Sequence, residues 1–88
     1  MEIKGQIISI GQLQTGATKT GGTWQKQEIV IMQDTDYPKP ACITFFGDKV
    51  EKIKGFFTGE TITVSVNIES REYNGRWYTE VNGWRVEK

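Results

Sequence analysis

From Thr61 to Val81 the residue pattern commits the chain to a β-hairpin. Ile62, Val64, Val66 and Ile68 alternate with Thr61, Thr63, Ser65, Asn67 and Glu69, a period of two that fits a strand with one buried face. Asn74-Gly75 then supplies the two positive-φ positions of a type I′ turn, whose twist matches that of the strands it joins. Arg76 to about Val86 is the returning strand. The turn sets the register: Tyr73 faces Arg76, Arg71 faces Tyr78, and Ile68 faces Val81. Continued unchanged, the ladder would oppose Val66 with Gly83 and Val64 with Arg85. One extra residue near Asn82-Gly83 opposes Val66 with Trp84 and Val64 with Val86, which keeps both strands apolar on one face. A bulge at Asn82-Gly83 is therefore predicted.

Upstream, Ile3 to Ile10 is β-rich, but its isoleucines switch parity between Ile7 and Ile8. Such a strand is buried on both faces or bent by a bulge, and Gly5 is a good place for it to curve. Leu13 to Thr23 is rich in Gly and Thr and reads as a loop. Trp24 opens a second strand that reaches about Gln33. Pro38 and Pro40 interrupt the pattern, and Ala41 to Phe46 is a third strand. Asp48 is a predicted N-cap for a short helix to about Lys54, with Val50 and Ile53 on its apolar side. Phe56 or Phe57 plugs the barrel beneath it. Thr58-Gly59-Glu60 turns into the hairpin.

Three strands, a short helix and two more strands make an all-β, five-stranded OB-fold barrel with one short helix between strands 3 and 4. Residues 1–88 form a single domain. Such barrels bind oligomers on the face of strands 2 and 3 and through the 1–2 and 4–5 loops.

Composition narrows the chemistry. The 88 residues include 11 basic and 11 acidic side chains, one cysteine and no histidine. Zero net charge removes the global electrostatic argument for nucleic acid, so local placement must carry it. Without histidine there is no Ser–His or Cys–His pair and no ordinary zinc site, so no enzyme, metal or cofactor is expected. Cys42 reads as a small buried apolar residue. Gly11 to Thr20 is not a phosphate loop, because Gly16 is followed by Ala17 rather than lysine. The N-terminus has no apolar signal core and no run spans a bilayer, so a cytoplasmic location is expected.

Phe45-Phe46-Gly47, the helix, Thr58-Gly59-Glu60, and the hairpin with Tyr78-Thr79-Glu80-Val81 resemble bacterial single-stranded DNA-binding proteins. The full length is more similar to a group of small bacterial OB-fold domains without an assigned role. That likeness rests on Leu13 to Gly16, Trp24, and Glu69 to Tyr78. The acidic tail by which single-stranded DNA-binding proteins recruit other proteins has no counterpart after Glu87-Lys88, which argues against a general replication role.

Single strands are held by aromatic rings that stack on bases beside cations that follow the backbone. The hairpin supplies Arg71, Tyr73, Arg76, Trp77 and Tyr78. The first loop and the second and third strands add Lys19, Trp24, Lys26 and Phe46. These nine residues are the candidate site. Each also has a structural reading. Arg71 with Tyr78, and Tyr73 with Arg76, form cross-strand cation–π pairs in that reading. Trp77 shares the parity of Ile68 and Val81, which points to core or rim packing. Trp84 reads as core. Phe45 and Phe46 face opposite ways, so at most one is buried. Glu28, Glu69 and Glu72 weaken phosphate attraction, so few phosphate contacts and a shallow salt dependence are expected.

Two functions follow. One is sequence-tolerant binding of single-stranded DNA or RNA, with DNA favoured. The other is a protein-interaction or assembly module that keeps the barrel without a nucleic-acid ligand. The small core predicts a homodimer or larger homo-oligomer.

Overall fold

The hairpin that dominates the sequence also dominates the computed structural model, which describes all 88 residues. In chain order the strands are β1 (Glu2–Ile10), β2 (Gln14–Ala17), β3 (Thr23–Gln33), β4 (Pro40–Phe46), β5 (Thr61–Tyr73) and β6 (Arg76–Glu87). A 3₁₀ helix, Gly47–Ile53, separates β4 from β5. The order β1-β5-β6-β4-β3 closes on itself through a β1–β3 pairing. These five strands are the predicted barrel. β2 is an addition: it lies within the segment read as a loop and pairs with Thr23 to Lys26 on the open edge of β3. No helix is long and apolar enough to cross a membrane.

Asn74 and Gly75 have φ of 51° and 78°, as a type I′ turn requires. The register follows: Tyr73 pairs with Arg76, Arg71 with Tyr78, Ile68 with Val81, and Val64 with Val86. The bulge sits one residue beyond its predicted place. Val66 pairs with Gly83 and Ser65 with Arg85, so Trp84 is the extra residue. The cause is Phe45. A Cβ on Gly83 would lie 2.5 Å from the ring of Phe45, which is fully buried. Gly83 must therefore stay in the ladder, under that ring. The bulge falls on Trp84 and turns it outward, 41% exposed instead of in the core.

β1 bends as its sequence requires. It pairs with β5 from Glu2 to Gln6 and with β3 from Gly5 to Ile10, with an irregularity between Ile7 and Ser9. Ile3 and Ile7 point inward and Ile8 outward. Ile29, Ile31, Ile43, Phe45, Ile62, Val64 and Val66 fill the rest of the barrel, with Val50 and Ile53 closing one end. In a 3₁₀ helix, residues three apart eclipse one another, so Val50 and Ile53 enter the core together. Asp48 is not the N-cap: Phe46 holds that position with no side-chain cap bond, and Asp48 lies in the first turn. Phe56 packs against the core, while Phe57 stays exposed.

Beyond Val66 the β5–β6 ribbon leaves the barrel. Every residue from Asn67 to Glu80 is exposed. This overturns two expectations. Ile68 continues the alternation but is 52% exposed, and Trp77 is 68% exposed rather than packed in the core or rim. Both point to the correct side of the sheet, but nothing lies opposite them there.

Candidate nucleic-acid interface

β3 and β4 pair so that Lys26 faces Phe46 and Glu28 faces Thr44. Their intervening neighbours Ile29, Ile43 and Phe45 point into the core, so these residues, with Cys42, form the outer face of the sheet. β6 joins β4 at a single parallel pair, Thr44 with Asn82, and then diverges. The outer face and the departing arm enclose a groove of about 760 Å³, lined by Lys26, Glu28, Cys42, Thr44, Phe46, Arg71 and the stretch Thr79 to Asn82.

Phe46 ends β4, 54% exposed. Its ring lies nearly parallel to that of Trp24, with centroids 6.3 Å apart and planes 10° from each other, an offset stack. Trp24 in turn lies flat on β2: a Cβ on Gly16 would come within 2.5 Å of its ring. β2 is thus the backing that fixes Trp24. Gln25 donates to the Gly47 carbonyl at 2.9 Å, tying β3 to the end of β4. A second hollow, lined by Gly16, Trp24, Phe46, Asp48 and Glu51, lies on the other side of the pair. The two rings form a shelf between the hollows.

The electrostatics of the groove are mixed. Arg71 donates to Glu80 across the arm at 2.8 Å. The Cys42 thiol donates to Glu28 at 3.1 Å. Cys42 is therefore not a buried apolar residue: it is exposed on the groove floor. Burial of the sulfur there, the Glu28 hydrogen bond and the Glu28 charge push its pKa up to about 11. The residue as a whole remains exposed, and the Glu28 contact is the cause that a substitution can remove.

Of the nine candidates, Lys26, Phe46 and Arg71 line the groove, and Trp24 joins them through Phe46. Tyr78 is the cross-strand partner of Arg71 and shares its face of the arm. Tyr73, Arg76 and Trp77 stand at the arm tip. Lys19 lies in the β2–β3 turn, which Thr18 and Gly22 close with a 2.8 Å backbone bond. These last four do not line the groove. The cross-strand cation–π pairs read for the arm are not formed: Arg71 turns to Glu80, and the cation–π contact in the molecule is Lys88 over Phe56. Sequence reasoning missed Cys42, Thr44, Glu80 and Asn82. The shared parity of Cys42, Thr44 and Phe46 on the third strand was the available signal for two of them.

The fold has close structural counterparts. The second OB-fold domain of replication protein A from Methanococcus maripaludis superposes with a TM-score of 0.69 at 15% identity, covering 98% of this chain and 79% of that one. The mitochondrial single-stranded DNA binding protein Rim1 from S. cerevisiae gives 0.66 at 15% identity, covering 99% and 90%. At that identity the similarity establishes the OB-fold alone. No curated protein matches the sequence. Residues 2–87 match the profile of one family, and the chain belongs to it: the Domain of unknown function family DUF3127.

Proposed function

We propose that this protein binds single-stranded nucleic acid, DNA in preference to RNA, with little regard to sequence and without catalysing a reaction. The observation that carries the reading is the Trp24–Phe46 shelf. Phe46 lines the groove and, with the nearly parallel ring of Trp24, the adjoining hollow, so the pair offers π-faces to bases in both. Stacking of this kind is worth about 1–3 kcal/mol per base and tolerates any base. Lys26 and Arg71 supply the phosphate contacts, and Tyr78 continues the platform along the arm. Lys19, Tyr73, Arg76 and Trp77 meet only a strand that runs past the groove. The two structural counterparts, a replication protein A domain and a mitochondrial single-stranded DNA binding protein, support the same use of the fold.

Glu28 and Glu80 favour the second reading, a protein-interaction module, because they place two carboxylates beside the two groove cations. The first reading therefore implies binding dominated by stacking. Titration with an oligo-dT strand at low salt, followed by tryptophan fluorescence, tests it. Binding should quench the signal, and Phe46→Ala should raise Kd about tenfold or more while leaving the fold intact. Absence of both quenching and a mobility shift at high protein concentration would overturn this reading in favour of the interaction module.

A further inference from the structure

The arm has two open edges. β1 pairs with β5 from Thr61 to Ser65 and the Met1 carbonyl accepts the Val66 N–H, beyond which β5 is uncovered. β4 pairs with β6 only at Asn82. A two-stranded ribbon standing alone in water is marginal. Its edges are templates for another strand unless charged side chains, proline or a bulge blunts them. Between Asn67 and Val81 the arm has no lysine and no proline. Its charged residues, Glu69, Arg71, Glu72, Arg76 and Glu80, are of both signs, so they repel a second copy only in registers that oppose like charges. Its one irregularity lies back at Trp84.

We propose that β6 is a dimer strand: a second copy of this chain pairs antiparallel with Arg76–Glu80, about a two-fold axis through Tyr78. Backbone alternation fits this register. The two-residue turn makes Tyr73 and Arg76 a pair that exchanges both backbone bonds, so the N–H and C=O groups of Trp77 and Thr79 face away from β5. Rotation about Tyr78 sets Trp77 against Thr79 of the second copy, matching outward groups with outward groups. Side chains fit as well. Arg76, Tyr78 and Glu80 share one face, and the same rotation sets Arg76 of each copy against Glu80 of the other. Arg71 occupies only Oε1 of Glu80, which leaves Oε2 for this contact.

Other registers on β6 lack the match. Axes through Trp77 or Thr79 separate Arg76 from Glu80, and an axis through Glu80 opposes like charges. On β5, axes through Arg71 or Glu69 also bring like charges together, whereas an axis through Ser70 sets Glu69 against Arg71 of the second copy. Variants at Arg76 and Glu80 leave that pair unchanged and so separate the two edges. The β6 edge is thus self-complementary in one register, as an isologous interface demands.

Sedimentation equilibrium tests the proposal independently of any nucleic acid. The wild-type chain of 10.0 kDa should sediment at twice that mass at micromolar concentration. Arg76→Glu and Glu80→Arg should each raise the dimer dissociation constant about tenfold or more, since two attractive pairs become repulsive. An equimolar mixture of the two variants should recover the dimer, because both contacts in the mixed pair again join opposite charges. A wild-type protein that stays at 10.0 kDa overturns the dimer. Single variants that remain dimeric, or a mixture that stays monomeric, overturn the β6 edge.

Discussion

Arg71 and Glu80 are joined across the arm at 2.8 Å, so the cation on that wall of the groove already has a partner. Lys26, on the opposite wall, pairs with no acid. A phosphate reaching Arg71 must displace a carboxylate; one reaching Lys26 displaces only water and counterions. Each phosphate neutralised on a single strand contributes about 0.7 to the slope of log K against log salt. Lys26→Ala should therefore lower that slope by about 0.7, and Arg71→Ala by less than half as much. Oligo-dT titrations at a series of sodium chloride concentrations measure both, and equal losses would contradict the assignment.

The place of Gly83 under Phe45 predicts an overpacking defect. In Gly83→Ala the new methyl group meets a ring that is fully buried and has nowhere to move. The cost should be about 1–3 kcal/mol, read from urea denaturation midpoints. Phe45→Leu destabilises by itself, but combined with Gly83→Ala it should cost less than the sum of the two. Strict additivity would mean that the two residues do not compete for the same space.

Cys42 should be exposed yet slow to react. Its pKa is pushed up to about 11, so the thiolate that attacks an alkylating agent is about a hundredfold scarcer at pH 8 than in a thiol of pKa near 9. Glu28→Gln removes the charge and the carboxylate acceptor. It should speed iodoacetamide labelling several-fold, as followed by mass spectrometry. An unchanged rate would assign the suppression to burial alone.

Glu60 accepts the Phe57 N–H at 3.1 Å and meets the Lys88 ammonium at 3.0 Å. The Lys88 contact is the main cause that holds the Glu60 carboxyl below its usual range; partial burial opposes it and the Phe57 bond reinforces it. A lowered folded pKa adds stability that is present above the unfolded carboxylate value and is lost as pH falls through the folded one. Glu60→Gln should therefore lower the urea midpoint at pH 7. The two proteins should converge in acid, once Glu60 is protonated in both states. A constant gap at every pH would assign the effect to packing.

How much of this was legible in the sequence depends on what parity can say. Alternation assigns a side chain to a side of the sheet: it did so correctly for Ile62, Val64 and Val66, and it set Phe45 and Phe46 on opposite sides without saying which one is buried. It does not say whether that side is covered. Ile68 and Trp77 follow the same rhythm as Val66, but they lie where the ribbon has left the barrel. Covering is a property of tertiary structure, set by how far β1 and β4 extend, and no local window reports it. The turn and register of the hairpin were readable because Asn74-Gly75 encodes them locally. The position of the bulge was not, since it depends on Phe45, a residue remote in sequence from Gly83. β2 escaped notice for a related reason: Gln14 to Ala17 has no apolar alternation, and only the Trp24 ring laid across Gly16 explains why it forms a strand.

The unequal closure of the barrel also shapes its motions. On one side β1 is laced to both β3 and β5; on the other, the ladder between β4 and β6 is the single Thr44–Asn82 pair. Local opening begins where few bonds must break, and that seam runs along the floor of the groove. Amide hydrogens of Thr44 and Gly83, which face each other's strands across the seam, should exchange with solvent well ahead of those in the β1 ladder. The groove can then widen by parting the seam while the core stays closed around Ile7 and Ile31.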